Sequence, residues 1–464
     1  MNSGTAVLTT LSPLDGRYYY ATQSLQPFFS EFALNSYRLH FEISYLIFFA
    51  DQVLNKPFTA AQVATLEKIG ADFNETEALK LQKIERDIKH DVKAVEYYLR
   101  QQLAAKKLPH SAYVHFGLTS EDTNSVAYAL MLKDGIDTVV LLALTEIIQE
   151  LADQAEKYAD TPMLARTHGQ PAVPTTFGKE LITYAIRLHN QVGQLKIRPH
   201  PAKITGAIGT HSALTTAFPD IDWLETFSKL ITSLNLNPEH FTTQIIPGEH
   251  YAQTFDIMQR INTILIDLNQ DCWRYISDDV LVQQVVTGEI GSSTMPQKVN
   301  PIQFENSEGN LGLANALLHF FSQKLPISRL QRDLSDSTVK RNFGAAFGYC
   351  LIGYQQCLNG LTSVTPDTDV MEQHVDTHWE CLTEAVQTIL KQAGDDDAYQ
   401  KIKNRVRGKT LDKTGYFNLI NQLDTDTKTH KRLLALSPLT YLGHAKQLVI
   451  IGVTQIKEQY GSTT

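Results

Sequence analysis

The segment 291–301 places a serine, a lysine and a predicted helix start close together (Gly291-Ser-Ser-Thr-Met-Pro-Gln-Lys-Val-Asn-Pro301). Its Gly-led beginning exposes Ser292, and Asn300-Pro301 is a good N-cap and first helical position. Lys298 and the helix N-terminus would both attract an anion. A serine beside fixed positive charge can act as a base if its alkoxide is stabilised. From residue types alone, the segment is equally consistent with a plain connection.

Histidines form the second set of candidates for proton transfer. His168 lies in Arg166-Thr-His-Gly-Gln-Pro-Ala172, and His90 opens the run His90-Asp-Val-Lys. The pKa of an unperturbed imidazole is close to neutral pH, so either residue could give or take a proton. Taken singly, each is explained as well or better by a structural hydrogen bond.

Two other patterns resemble a metal site and a dinucleotide-binding loop, but each lacks part of the motif. His374 and His378 are four residues apart with Glu380 nearby, but no H-E-x-x-H motif accompanies them. The run Gly206-Ala-Ile-Gly209 lacks the preceding strand and the third glycine of a dinucleotide fingerprint. We therefore expect no metal and no cofactor.

The elements that must position these residues have a helical period. Apolar residues recur at i, i+3 and i+4 along 139–155, and 124–159 has one Gly and no Pro. Helices are also predicted over 177–197, 251–286, 304–323 and 342–361. Strand signals are scarce, and 161–176, 198–211 and 287–301 are interpreted as connectors. The predicted fold is all-α, with a central bundle of long helices.

We expect three helical domains: an N-terminal domain over 1–111, the central long-helix bundle over 112–362, and a C-terminal domain over 363–464. The length of 464 residues allows two to four domains of ordinary size.

Composition narrows the class of partner. The formal net charge is −9, which argues against a nucleic-acid binder because that function needs a basic face. No apolar run is long enough for a membrane span, and no signal peptide is evident at the start. The four cysteines form no C-x-x-C pair and suit reduced, buried thiols in a cytoplasmic protein.

Three segments resemble conserved blocks of the fumarase/aspartase superfamily of lyases. Segment 291–301 has every fixed position of the signature G-S-S-x-M-P-x-K-x-N-P, and 166–172 and 118–122 resemble the other two blocks. Further segments resemble the bacterial adenylosuccinate lyase family, namely 12–18, 90–96, 300–311 and 332–341. The resemblance covers nearly the whole chain and is weakest after about residue 365.

The resemblance implies β-elimination of fumarate from adenylosuccinate, giving AMP, and from SAICAR, giving AICAR, two anionic purine-pathway substrates. Such a reaction needs a base for a weakly acidic C–H proton and an acid for the leaving nitrogen. It also needs cations that hold a dicarboxylate and a phosphate. The superfamily further implies a homotetramer whose sites are shared between chains.

Roles are carried over residue by residue. Ser292 resembles the general base, His168 the general acid, Glu305 the carboxylate paired with that histidine, and His90 a second essential histidine. The residues implied to bind substrate are Arg17, Tyr18, Asp91, Thr119, Ser120, Gln244, Lys298, Asn300, Asn306, Arg332, Ser337 and Arg341. The arginines among them suit a phosphate, which a guanidinium binds in a bidentate manner.

Two positions depart from the family pattern. Lys89 precedes His90 where Asn is expected, and Lys340 precedes Arg341 where an apolar residue is expected. Two alternatives remain at this point: another superfamily lyase such as argininosuccinate lyase, and a catalytically silent helical scaffold. The phosphate-side arginines disfavour the first, and the joint presence of Ser292, His168 and Glu305 disfavours the second.

Overall fold

Long helices dominate the computed structural model, which describes residues 8–284, 294–295 and 297–460. The described helices of 20 or more residues are Glu31–Gln52, Phe177–Lys196, Glu249–Ser277, Ile302–Lys324 and Phe343–Thr362. Shorter helices before residue 250 are Tyr19–Thr22, Gln26–Phe29, Ala60–Ala71, Glu75–Ile88, Asp91–Ala105, Ser120–Gly135, Leu141–Lys157, Ser212–Ala217 and Trp223–Ser233. Those nearer the C-terminus are Ser335–Lys340, Thr368–Asp376, Thr383–Gln392, Ala398–Val406, Lys413–Asn421, Thr427–Leu434 and Ala445–Tyr460. The expected all-α class is confirmed.

The predicted long helical stretch over 124–159 is present with one irregularity. Ser120–Gly135 continues through a π-helical turn, Ile136–Val140, into Leu141–Lys157. Gly135 precedes the π turn, where a Cβ would lie 2.6 Å from the Phe29 ring. The absence of a side chain therefore lets the helix approach that ring closely.

Strands are short and occur in pairs. Pro162–Thr167 and Gln170–Thr176 form an antiparallel hairpin within the stretch interpreted as a connector. Pro201–Ala202 pairs with Asn237–Pro238, and Leu281–Gln283 pairs with Val364–Pro366. The last pair corrects the predicted helix over 251–286. That helix ends at Ser277, because Asp279 turns the chain with a φ of 59° and the next residues pair as a strand.

The chain divides into two compact units. The first unit comprises Met1–Ala143, Val192–Asn262 and Asn310–Ile352; the second comprises Leu144–Gln191, Thr263–Gly309 and Gly353–Thr464. In the first unit, Glu31–Gln52 lies between two apolar clusters, one with Leu66, Leu81 and Leu99 and one with Phe227 and Trp223. The three-domain boundaries stay a prediction. Among the described helices, none combines the length and apolarity needed to cross a bilayer.

Candidate active site

The expected site residues divide between the two units. The first unit carries Arg17, Tyr18, His90, Asp91, Thr119, Ser120, Gln244, Arg332, Ser337 and Arg341, and the second carries His168, Lys298, Asn300, Glu305 and Asn306. Ser292, the expected base, lies outside the described residues.

His168 occupies the turn of the hairpin in the second unit. Thr167 pairs with Gln170, so His168 and Gly169 form a two-residue turn. Their φ values are 54° and 73°, the type I′ geometry that suits the twist of antiparallel strands. Positive φ is uncommon for residues other than glycine, so the strand pairing on both sides of the turn stabilises this backbone conformation of His168. The side chain is exposed, so its imidazole is available for proton transfer to a bound molecule.

Lys298 and Asn300 precede a helix start in the same unit. The helix Ile302–Lys324 begins directly after Pro301, one residue later than the start predicted with Pro301 as the first helical position. Lys298 is exposed, and the carbonyl oxygen of Asn300 accepts a hydrogen bond from Gln283 Nε2 at 2.9 Å. The ammonium and the helix N-terminus give the segment two sources of positive potential for an anion.

Glu305 lies in the first turn of that helix and is exposed. Its Oε1 accepts a hydrogen bond from Trp273 Nε1 at 3.1 Å. Across the described parts of the chain, no hydrogen bond or ion pair joins Glu305 to His168. The expected pairing of these two residues is therefore not formed within one chain. Asn306, the next residue, is half-buried.

His90 is the N-cap of the helix Asp91–Ala105 in the first unit. Its Nδ1 accepts a hydrogen bond from the backbone N–H of Lys93 at 3.2 Å, so the neutral ring carries its proton on Nε2. Lys89 adopts a φ of 56°, the left-handed conformation in which Asn is common. This conformation would suit the Asn that the family resemblance implies at position 89.

Asp91 joins two arginines. Its Oδ2 accepts hydrogen bonds from Arg38 Nη2 at 2.7 Å and from Arg341 Nη2 at 2.8 Å. Burial alone would raise the pKa of Asp91, but Arg38, the backbone N–H of Val92 and Arg341 together hold it below its usual value. The Arg341 Nη1 group pairs with Glu31, so two carboxylates share this guanidinium.

Arg332 is held in a similar way. Its Nη2 donates to Glu121 Oε1 at 2.9 Å, and its Nη1 donates to Gln244 Oε1 at 3.2 Å. Asn124 donates to the same Glu121 oxygen at 2.6 Å and accepts from Arg38 Nε at 2.9 Å. A continuous hydrogen-bonded network thus connects Arg332, through Glu121, Asn124 and Arg38, to Asp91.

Sequence reasoning did not select Arg38, Glu121 or Asn124. Glu121 stands inside the block 118–122, which was the available signal, while Arg38 has no motif around it. Glu121 is 3% exposed and Arg38 is 1% exposed. Both are therefore buried partners in the network that holds the more exposed Arg332 and Arg341.

Asp122 fixes the start of the helix that carries Thr119 and Ser120. Its Oδ2 accepts from the backbone N–H of Thr119 at 2.8 Å, which is a capping interaction. Its Oδ1 accepts from Lys203 Nζ at 2.7 Å and from the backbone N–H of Thr205 at 2.9 Å. Thr119 and Ser120 are half-buried, so their position depends on this fully buried ion pair.

Arg341 also lines a cavity of about 240 Å³ in the first unit. Most of its lining comes from the N-terminal segment 12–30, whose polar members there are Ser12, Asp15, Thr22, Gln26 and Ser30. Arg17, exposed, and Tyr18, half-buried, belong to the same segment but do not line the cavity. Ser337 is half-buried on the helix Ser335–Lys340 that leads into Arg341.

His374 and His378, four residues apart in the sequence, do not lie on one helix. The helix Thr368–Asp376 ends before His378, whose Nδ1 lies 2.6 Å from Glu380 Oε1. His374 and His378 therefore do not share a helical face. Over the described ranges, no group of three or more His, Cys, Asp or Glu side chains is arranged to hold a metal ion.

Comparison with known sequences gives matches along most of the chain. A family model described as "Lyase" matches residues 30–315, and one described as "Adenylosuccinate lyase C-terminal" matches residues 328–442. The adenylosuccinate lyase of Vibrio cholerae is 44% identical over 96% of this chain and 98% of its own length. That of Escherichia coli is 43% identical over 95% of this chain and 98% of its own.

Solved structures with a similar fold are more distant in sequence. A 3-carboxy-cis,cis-muconate lactonizing enzyme from Pseudomonas putida has a TM-score of 0.73 and 22% identity, covering 95% of this chain and 98% of its own. A fumarate lyase from Mesorhizobium has a TM-score of 0.73 and 19% identity, covering 94% and 98%. At this identity the likeness concerns the fold alone.

Proposed function

The chain belongs to the adenylosuccinate lyase family of the fumarase/aspartase superfamily, and from this membership we propose that it eliminates fumarate from adenylosuccinate and from SAICAR. The products are AMP and AICAR. The observation that carries the proposal is the pair Arg332 and Arg341, two partly exposed guanidiniums held in place by carboxylates. Such groups suit the phosphate that distinguishes these substrates from malate, aspartate and argininosuccinate.

The elimination needs a base, an acid and a site for developing negative charge. We assign Ser292 as the base that takes the C–H proton and His168 as the acid that protonates the leaving nitrogen. Lys298 and Asn300 would stabilise the carbanion, whose charge spreads onto the adjacent carboxylate. The exposed turn that carries His168 and the exposed Lys298 support these roles.

The remaining family positions are assigned to binding. Thr119 and Ser120 would hold the succinyl group, and Gln244 and Asn306 would contact the substrate. The phosphate and ribose side comprises Arg17, Tyr18, Asp91, Arg332, Ser337 and Arg341. His90 would position the substrate through Nε2, because its Nδ1 already accepts a backbone hydrogen bond.

A homotetramer with sites shared between chains follows from the same proposal. No hydrogen bond or ion pair joins Glu305 to His168 within the described part of one chain, so we infer that a second chain would supply the partner. On the helix Ile302–Lys324, Leu313 and Phe320 are 54% and 51% exposed, as expected of an apolar face that another subunit covers. A monomeric mass by light scattering at micromolar concentration would refute the tetramer.

We also propose a cytoplasmic location. All four cysteines are buried thiols, which suits a reducing compartment.

A substrate panel tests the function. Purified protein is incubated separately with adenylosuccinate, SAICAR, argininosuccinate and aspartate while fumarate is followed by ultraviolet absorbance, and with malate while its loss is followed. Turnover of the first two substrates is expected. Turnover of argininosuccinate alone would replace the purine assignment, and no turnover at all would favour the scaffold.

A further inference from the structure

Lys340 is a buried lysine directly before Arg341. Its side chain is 5% exposed, and its Nζ donates to Asp336 Oδ2 at 2.8 Å. Glu121 Oε2 lies 3.7 Å from the same nitrogen. The family resemblance implies an apolar residue at this position. In this chain a buried ammonium stands there instead, with Asp336 and Glu121 as its counter-charges.

Two aromatic rings also face this ammonium, and the imidazole of His250 lies against one of them, Tyr251, with 3.8 Å between the ring centroids. The rings of Tyr128 and Tyr251 lie 5.7 and 5.6 Å from Nζ, within the range of cation–π attraction. Burial opposes the charge on Lys340, but Tyr251, Glu121 and Asp336 outweigh it and raise the pKa of Lys340. The lysine is therefore cationic at neutral pH.

None of these neighbouring rings changes its charge near neutral pH. Burial lowers the pKa of His250 to about 4 and raises that of Tyr251 to about 12. Burial also raises the pKa of Tyr128. Any ionisation that a Lys340 variant acquires between about pH 6 and 9 must then come from Glu121 or Asp336.

The two carboxylates differ in what else supports them. Glu121 keeps Arg332 and Asn124 as partners on its other oxygen. Asp336 is 4% exposed, and in the described residues its Oδ1 has no hydrogen-bond partner. Asp336 therefore depends on Lys340 for its compensation, and without it the carboxylate would protonate at low pH and become an unpaired buried anion at high pH.

We propose that Lys340 is a positioning residue for Arg332. Its buried ammonium neutralises Asp336, so that Glu121 alone balances the Arg332 guanidinium and this side of the site stays attractive to a phosphate. The effect passes through Asp336: without Lys340, the uncompensated charge of this buried carboxylate would oppose an anion bound at Arg332. The inference rests on the proposed function, in which Arg332 contacts the phosphate or ribose.

The test compares Lys340→Met with wild-type enzyme, using adenylosuccinate from about pH 6 to 9. In the variant, deprotonation of Asp336 adds an anion near the phosphate site, so the ratio of variant to wild-type KM should rise about tenfold across this range. The kcat ratio should change less than about twofold, because the reacting atoms are not touched. A KM ratio that is flat with pH would overturn the proposal.

Lys133→Met is the matched control. Lys133 also lies between two carboxylates, 3.3 Å from Asp137 and 3.8 Å from Asp134, but it is 28% exposed and has no assigned part in the site. Its KM ratio should be flat with pH. A rise equal to that of Lys340→Met would show a general charge effect and would overturn the positioning role.

The double variant Lys340→Met/Asp336→Asn keeps the test decisive if Lys340→Met does not fold. Removing the carboxylate together with the lysine should restore a KM that follows the wild-type pH profile. A raised KM in the folded double variant would overturn the proposal, because Lys340 would then act otherwise than through Asp336. Absence of turnover in the wild-type enzyme would instead refute the proposed function, and the same ratios could then be taken from AMP binding by calorimetry.

Discussion

Arg341 Nη2 donates to Asp91 Oδ2 at 2.8 Å, and the other terminal nitrogen of the same guanidinium pairs with Glu31. A guanidinium has five N–H donors in a planar fork, so it can satisfy both carboxylates and still present donors to a phosphate. The side chain is 33% exposed, which leaves that edge accessible.

Arg341→Lys should therefore weaken substrate binding. A lysine is a point charge that cannot bridge both carboxylates and a phosphate, so KM for adenylosuccinate should rise about tenfold with little change in kcat. Steady-state kinetics measure both constants. Arg86→Lys, an exposed arginine that contacts Gln82, is the control and should leave KM unchanged. An unchanged KM in Arg341→Lys would remove this residue from the phosphate side.

His168→Asn should separate the acid from the turn that carries it. Asn tolerates the φ of 54° at this position, so the hairpin should persist while the proton donor is lost. We expect kcat to fall by ~10²–10⁴, the usual effect of losing a general acid, with AMP binding retained. Ser292→Ala should give a fall of similar size. A near-normal kcat in either variant would mean that its role is misassigned.

The long helices could be predicted from the sequence because their apolar stripes are local patterns. Phe177–Lys196 and Phe343–Thr362 match the predicted 177–197 and 342–361 within a residue or so. The hairpin around His168 and the strand Leu281–Gln283 could not be predicted, because each owes its form to a partner strand. For Leu281–Gln283 that partner is more than 80 residues away in the chain.

Motifs identified the arginines of the candidate site but not the groups that hold them. Arg332 reaches Glu121 across 211 positions of sequence, and Arg38 reaches Asn124 across 86. The sequence around a helical glutamate does not show whether its side chain is exposed to solvent or buried against an arginine. Only the packing of the first unit decides that Glu121 lies 3% exposed beside a guanidinium.

Asp122→Asn should destabilise the first unit strongly. The Asp122–Lys203 pair has 0% exposure on both sides, so the substitution leaves a buried ammonium without its counter-charge. Loss of one partner of a buried pair costs about 3–5 kcal/mol. Urea denaturation at fixed protein concentration measures the loss.

The double variant Asp122→Asn/Lys203→Met is the control for that measurement. Replacing the lysine by an apolar side chain removes the uncompensated charge and should recover part of the stability. If the unfolding free energy of the double variant is lower than that of Asp122→Asn, replacing Lys203 has brought no recovery. That outcome would show that Asp122 and Lys203 are not electrostatically coupled.

Gly206 and Gly209 provide a matched test of close packing within one loop. Both have positive φ, 76° and 86°, but a Cβ at Gly206 would meet nothing closer than 3.8 Å, whereas one at Gly209 would lie 2.2 Å from the Thr242 carbonyl oxygen. Gly206→Ala should cost about 1–2 kcal/mol from φ alone. Gly209→Ala should cost a further ~1–3 kcal/mol from the overlap. Equal losses of unfolding free energy would contradict this packing.

The His115–Glu42 pair should make stability depend on pH. His115 Nδ1 lies 2.6 Å from Glu42 Oε1, and the two side chains are 13% and 1% exposed. Burial works to lower the pKa of His115, but Glu42 outweighs it, and the pKa is raised above its ordinary value of 6.5. Because the folded pKa exceeds the unfolded one, the protonated pair contributes full stability below about pH 6.5, and the contribution is lost as pH rises through the folded pKa.

Glu42→Gln should therefore lower the unfolding free energy more at pH 6 than at pH 9. A hydrogen bond to a charged group contributes about 1.5–3 kcal/mol, and much of the wild-type advantage should disappear over this range. Urea denaturation of both proteins at one concentration, repeated across the range, measures the difference. His115→Gln is the control, since a protein without this imidazole should respond to Glu42→Gln equally at both pH values. Parallel pH profiles for wild-type protein and Glu42→Gln would show that His115 is not held in its charged form by Glu42.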